Sequence, residues 1–229
     1  MVQDTLSAIQ SQERSVDTLI SSGTLTLDAQ DARSEASVFI VACREPSRIK
    51  IEVTHSWGQP LFHILVRGSE LDILSFSEKR RYRGHLGNAA FLKLLPTPLS
   101  PGLIWTMARA YPVLALFHKA TSLRSDQISL MDLQNNPIQT IDFYPDSRLP
   151  RRVCFCRQGV SMSFCDFQQI NGMRYAREVR LMDDQGTPRV ELEVREMVFN
   201  RTIPKVLFTQ ESPKDFEMFF LEGRGTVTH

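Results

Sequence analysis

A chain of 229 residues can bury a sizeable core in one domain or two. With 42% hydrophobic and 23% charged residues it has the composition of an ordinary globular protein. The net charge of +1 leaves no chain-wide field for nucleic acid or for an anionic membrane surface. The most apolar stretch, Gly102 to Phe117, contains Arg109 and Pro112. It falls short of the about 20 apolar residues a membrane span needs.

Leu6, Ile9, Val16, Leu19 and Ile20 recur at roughly helical spacing behind Asp4, a residue suited to an N-cap. The pattern predicts an amphipathic helix over residues 4–20, ended by Gly23. Asp4, Gln10, Glu13, Arg14 and Asp17 are too polar for a signal peptide, so export would require a leader outside these residues. If Met1 is the natural start, the protein is cytoplasmic.

Thr24 to Leu27 alternates as a strand, and Val38 to Val41 is a short apolar run rich in β-branched residues. Beyond the turn at Glu45-Pro46-Ser47, Ile49, Ile51 and Val53 alternate with Lys50 and Glu52, the signature of a half-buried strand. A loop, His55 to Pro60, leads to strands at Leu61–Val66 and Leu71–Phe76. Lys79-Arg80-Arg81 reads as solvated turn charges.

Residues 88–118 break the rhythm. Asn88 can cap a short helix, Ala89 to Leu95, and Pro96, Pro98 and Pro101 forbid its continuation. Helical character resumes over Gly102–Phe117, where Ile104, Met107, Ala108, Val113, Leu114 and Phe117 can share one broad face and Pro112 kinks or divides it.

Strands return at Gln127–Leu130 and, past Asn135-Asn136-Pro137, at Ile138–Tyr144. Arg151–Arg157 and Val160–Phe167 flank Gln158-Gly159 as a hairpin, with Val153 and Phe155 on the face of Val160, Met162 and Phe164. Tyr175–Met182 precedes a turn at Asp183–Gly186. Pro188–Asn200 fits either a strand or a helix face; neighbouring strands joined by short turns favour a strand. About ten or eleven strands without a βαβ rhythm argue a strongly curved antiparallel sheet in a single domain, residues 1–229.

Motifs for chemistry are sparse. His55, His63, His85 and His118 show no HxH or HExxH spacing, and no GxSxG, P-loop or GxGxxG occurs. Cys43, Cys154, Cys156 and Cys165 form no zinc pattern and too thin a framework for a disulfide-dependent fold. A thiol-redox role for Cys154 and Cys156, flanked by Arg152 and Arg157, would need a depressed thiolate pKa. The expectation is a protein that is not an enzyme and holds no metal and no cofactor.

Two stretches resemble the LolA/LolB-like lipoprotein-sorting family. The first is HSWGQPLFHILVRGSELDILSFSEKRRYRG with FLKLLPTPLSPGLIWTMARAYPVL, residues 55–84 and 91–114. Its order is a strand, a loop with an apolar residue and Gly, two strands, a tyrosine near a short turn, and a Pro/Leu/Ser-rich helical segment. The second is MSFCDFQQINGMRYAREVRLMDDQGTPRVELEVREMVFNRTIPKVLFTQESP, residues 162–213, which matches the family's closing strands and turns.

The resemblance implies a mainly β fold with α elements: an unclosed antiparallel half β-barrel covered by the N-terminal helix and an inserted helical lid at about 88–118. It implies a periplasmic carrier or receptor for the acyl chains of lipoproteins or lipids, free or anchored to the outer membrane by an N-terminal lipid. Its partners would be a second carrier protein and the inner leaflet of the outer membrane, with no nucleic acid, and the protein a monomer.

The expected cavity and lid residues are Val38, Ile40, Ile51, Val53, Phe62, Ile64, Leu103, Ile104, Trp105, Met107, Val113, Leu114 and Phe117. The lid residues among them serve equally well as plain core. Arg44 falls near a family arginine that governs lid opening, although Glu45 stands between it and Pro46; an ordinary turn arginine is the alternative. Trp57 falls where the receptor branch carries a protruding apolar residue that meets membrane or partner; the alternative is a buried loop tryptophan. The same fold with a filled core would make an envelope scaffold that transfers no lipid.

Overall fold

The computed structural model describes residues 2–29, 32–87 and 100–221. The chain begins with helix α1 (Val2–Arg14). Six strands follow: β1 (Thr18–Ala29), β2 (Ala32–Cys43), β3 (Arg48–Thr54), β4 (Pro60–Arg67), β5 (Glu70–Ser75) and β6 (Arg80–His85). Helix α2 (Pro101–Arg109) separates them from β7 (Lys119–Arg124), β8 (Gln127–Met131), β9 (Pro137–Phe143), β10 (Pro150–Phe155), β11 (Val160–Ile170), β12 (Met173–Met182) and β13 (Pro188–Phe199). After β13 come a 3-10 turn at Lys205–Phe208 and β14 (Glu217–Leu221).

Among the described residues, all the strands belong to one curved, unclosed sheet of 14 strands, ordered β14-β6-β5-β4-β3-β2-β1-β13-β12-β11-β10-β9-β8-β7. Neighbours are antiparallel except β14, which runs parallel to β6. The expected curved half-barrel is therefore the fold, with more strands than the about ten or eleven expected. The unforeseen strands are β6, β7 and β14.

Register turns the alternating sequence into a continuous apolar surface. Ile40 pairs with Ile51, Ile51 with Ile64, Ile64 with Ile73, Ile73 with Tyr82 and Tyr82 with Phe219. Because side chains alternate between faces with period two, this row lines the concave face across β2, β3, β4, β5, β6 and β14. On the opposite face Val41 and Leu65 are buried beneath Phe208, carried there by the chain after β13, whereas Phe39 remains 41% exposed.

Two helical expectations change. Helix α1 stops at Arg14 instead of continuing to residue 20. Leu19 and Ile20 belong to β1, with Leu19 fully buried and Ile20 half-buried on the other face. Helix α2 ends at Arg109 and does not reach Phe117; Ala110 closes it in the left-handed conformation (φ 52, ψ 35). Tyr111 precedes Pro112, and a residue before proline is disfavoured in the α region, so the chain leaves as an extended arm. Ser100 caps the start of α2, its Oγ accepting from the Leu103 N–H at 3.2 Å. The short helix expected over 89–95 lies outside the described residues.

Arg81 is a further correction. It is not a solvated turn charge but a buried residue of β6, donating to Asp72 from Nε (2.9 Å) and Nη2 (2.6 Å) and to the Gln210 carbonyl at 3.0 Å. The β10–β11 connection is a four-residue turn, Cys156 to Gly159, in place of two, since Phe155 pairs with Val160. The parity is the same, so Val153, Met162 and Phe164 share the buried face as expected. Pro188–Phe199 is a strand, as its neighbours argue.

Candidate functional site: an apolar cavity under helix α2

Helix α2 lies against the concave face. It buries Leu103, Ile104, Trp105 and Ala108, and α1 adds Leu6 and Ile9 to the same core. Between α2 and the sheet is a cavity of about 260 Å³. One enclosed water needs roughly 10–15 Å³ on the same kind of measure, so this space admits a substantial ligand.

Of the expected residues, Val38, Ile40, Ile51, Val53, Phe62, Ile64, Leu103, Ile104 and Met107 line the cavity together. Trp105, Val113, Leu114 and Phe117 do not. Trp105 is buried in the core, and the other three lie on the extended arm and pack against that core half-buried. The sequence reading missed Leu25, Leu27, Leu61, Val66, Leu71, Ile73, Tyr82, Met162, Leu181, Val190 and Leu192. Alternation in strands already recognised would have supplied most of them.

The polar lining residues are Ser34, Glu35, His55, Ser75 and Tyr82. Ser34 and Glu35 lie near the β1–β2 turn, and His55 begins the β3–β4 loop. The opposite end of the cavity is closed by residues such as Val66 and Leu71. One end thus offers hydrogen-bonding groups, and the remainder offers almost pure hydrocarbon contact. Such a site removes alkyl groups from water and orients a polar terminus at one end.

Trp57, in the His55–Pro60 loop, is 71% exposed. Its ring stacks on His55, with centroids 4.2 Å apart and planes 7° from parallel. Its indole N–H reaches Gln59 Oε1 at 3.5 Å. The protruding indole therefore stands beside a residue of the cavity rim.

Arg44 does not line the cavity. It donates from Nη2 to Asp17 Oδ1 at 2.7 Å, and its backbone N–H bonds the Asp17 carbonyl. Its charge also acts on the half-buried Glu13. Burial raises the Glu13 carboxyl above its ordinary pKa, against the pull of the Leu114 N–H and of Arg44.

Arg109 was not anticipated as more than part of the lid. It is 1% exposed and donates from Nη1 to the Arg174 carbonyl at 2.7 Å and from Nη2 to the Gln12 carbonyl at 3.4 Å. Its guanidinium lies over Phe199 at 4.6 Å. Burial pulls its pKa down to about 10, so it remains charged at neutral pH.

Cys43, Cys154, Cys156 and Cys165 are free, and burial pushes the Cys154 thiol up, opposite to the shift a reactive thiolate needs. Among the described residues, no helix is long and apolar enough to cross a membrane.

No family model matches this sequence, and no curated protein does. Solved structures share the fold. A LolA superfamily protein from Nitrosomonas europaea superposes with a TM-score of 0.60 at 14% identity, over 91% of this chain and 97% of that one. An outer membrane lipoprotein-sorting protein domain from Vibrio parahaemolyticus gives 0.59 at 11% identity, again over 91% and 97%. A DUF1329 family protein from Desulfovibrio piger gives 0.58 at 10% identity over the same shares. The chain has the LolA-type fold along most of its length.

Proposed function

We propose that this chain is a non-enzymatic carrier or receptor of the bacterial envelope. It takes acyl chains of lipoproteins or lipids into the cavity under α2 for transfer at the outer membrane. The observation that carries this reading is the cavity itself: about 260 Å³, walled by aliphatic side chains, polar at one end. The fold shared with a LolA superfamily protein and a lipoprotein-sorting domain supports it. Each methylene moved from water into the cavity contributes ~0.8 kcal/mol, so affinity grows with chain length.

Release requires the roof to move. Helix α2, Pro101–Arg109, is too short to hold its shape away from the sheet, so lifting it takes little energy beyond the lost apolar contacts. Trp57, beside the rim, is the contact we assign to the membrane interface or a partner carrier, since an indole is apolar over its ring and hydrated at its N–H.

Titration of the delipidated protein with a fluorescent fatty acid tests the reading. Saturable binding at one site, displaced by palmitate, is the expected result. Absence of binding, or linear partitioning without saturation, would contradict it and leave a scaffold that transfers no lipid.

A further inference from the structure

The roof of the cavity is held very differently at its two ends. Residues Leu103, Ile104, Trp105, Met107 and Ala108 meet the core through apolar side chains. Among the described residues, the polar contacts that tie this region to the rest of the fold begin at Arg109 and run through the arm behind it.

Arg109 is bound by the carbonyls of Arg174 and Gln12. The Ala110 carbonyl accepts the Ala176 N–H of β12 at 2.8 Å. Gln139, a residue of β9 with no exposed surface, donates from Nε2 to the Val113 carbonyl at 2.9 Å and accepts the Ala115 N–H on Oε1 at 2.9 Å. A strand side chain here substitutes for a strand partner: it reads the main chain of the arm as a neighbouring strand would. Pro112 has no N–H, so the arm makes no demand for a partner at that position.

We propose that Gln139 is a positioning residue that clamps the 110–115 arm. Helix α2 then swings about Ala110, with its Ser100 end as the moving edge. This inference rests on the carrier reading for its functional consequence, the rate of cargo exchange, but not for its geometry.

The clamp is set by hydrogen-bond geometry, and isosteric changes separate it from simple core packing. Gln139→Leu keeps the volume and removes both bonds. Gln139→Met removes both as well and fills the site with a different apolar shape. Amide hydrogen exchange of the intact protein is followed at Ile104 to Ala110 and, as the control, along β8 and β9.

The expected outcome is exchange about tenfold faster or more across α2 in both Gln139→Leu and Gln139→Met, with β8 and β9 unchanged. In the two disrupting variants a bound fluorescent fatty acid should also leave faster by a similar factor. Unchanged protection of α2, or loosening that spreads equally through β8 and β9, would overturn the clamp. If the wild-type protein binds no fatty acid, the carrier reading fails by itself, and the exchange pattern still decides the clamp.

Discussion

The indole of Trp57 lies flat on the imidazole of His55, 4.2 Å between ring centroids, and His55 lines the cavity while Trp57 is 71% exposed. The stack joins a rim residue to the most exposed aromatic of the β3–β4 loop. Trp57→Glu should change stability by no more than ~0.5 kcal/mol, because no core contact is lost. It should abolish association with lipid vesicles. Thermal unfolding and vesicle flotation check both halves; a loss of several kcal/mol would mean that the loop packs as core.

At Gly23 the backbones of β1 and β13 leave no room for a side chain. A Cβ there would sit 2.0 Å from the Glu193 carbonyl oxygen, at the irregularity between Ser22 and Gly23 in the β1–β13 pairing. The obstructing atom is backbone and cannot rotate away. Gly23→Ala should therefore destabilise by about 1–3 kcal/mol or more, read as a lower urea midpoint with an unchanged slope.

Asp72 and Arg81 form a buried, doubly hydrogen-bonded pair that also receives Arg83 and Gln210. Removing one member strands the other charge, at a cost of about 3–5 kcal/mol. Asp72→Ala should show that loss in urea unfolding. It should also make residues 205–216 more sensitive to protease, because Gln210 loses a partner on Asp72.

His63 is half-buried against Phe76, and burial holds its pKa below the usual 6.5. Well above pH 6.5 it is neutral in both folded and unfolded chains and contributes no pH dependence. As pH falls through 6.5 the unfolded chain takes the proton first, so stability is lost until the folded state protonates too. His63→Asn should flatten this part of the stability profile between pH 7 and the lowered folded pKa. An identical slope in wild type and variant would rule the group out.

Much of the fold was legible because one physical signal repeats. Ile49, Ile51 and Val53 alternate with charged residues, and the register then stacks Ile40, Ile51, Ile64 and Ile73 into the cavity wall. The unforeseen strands failed that test for different reasons. β6 reads as a basic turn because Arg81 is neutralised by Asp72, a residue from the preceding strand that no local window pairs with it. β14 is held by parallel pairing to a strand far earlier in the chain.

The lid misled in another way. Tyr111 to Phe117 has helix-compatible apolar spacing, but Gln139 offers its main chain partners that a helix would not need. Arg109 was opaque for the same reason, since the carbonyls that hold it belong to Gln12 and Arg174.

The central claim is that an alkyl chain lies between α2 and the concave face. The most direct measurement is photo-crosslinking of the delipidated protein with a diazirine-bearing palmitate, followed by peptide mapping. The expected labels fall on cavity residues such as Ile51, Ile64, Met107 and Leu181, are suppressed by excess palmitate, and leave Phe39 and Phe220 on the outer face unlabelled. Labels confined to the outer face, or scattered and insensitive to competition, would contradict a carrier that holds its cargo inside the half-barrel.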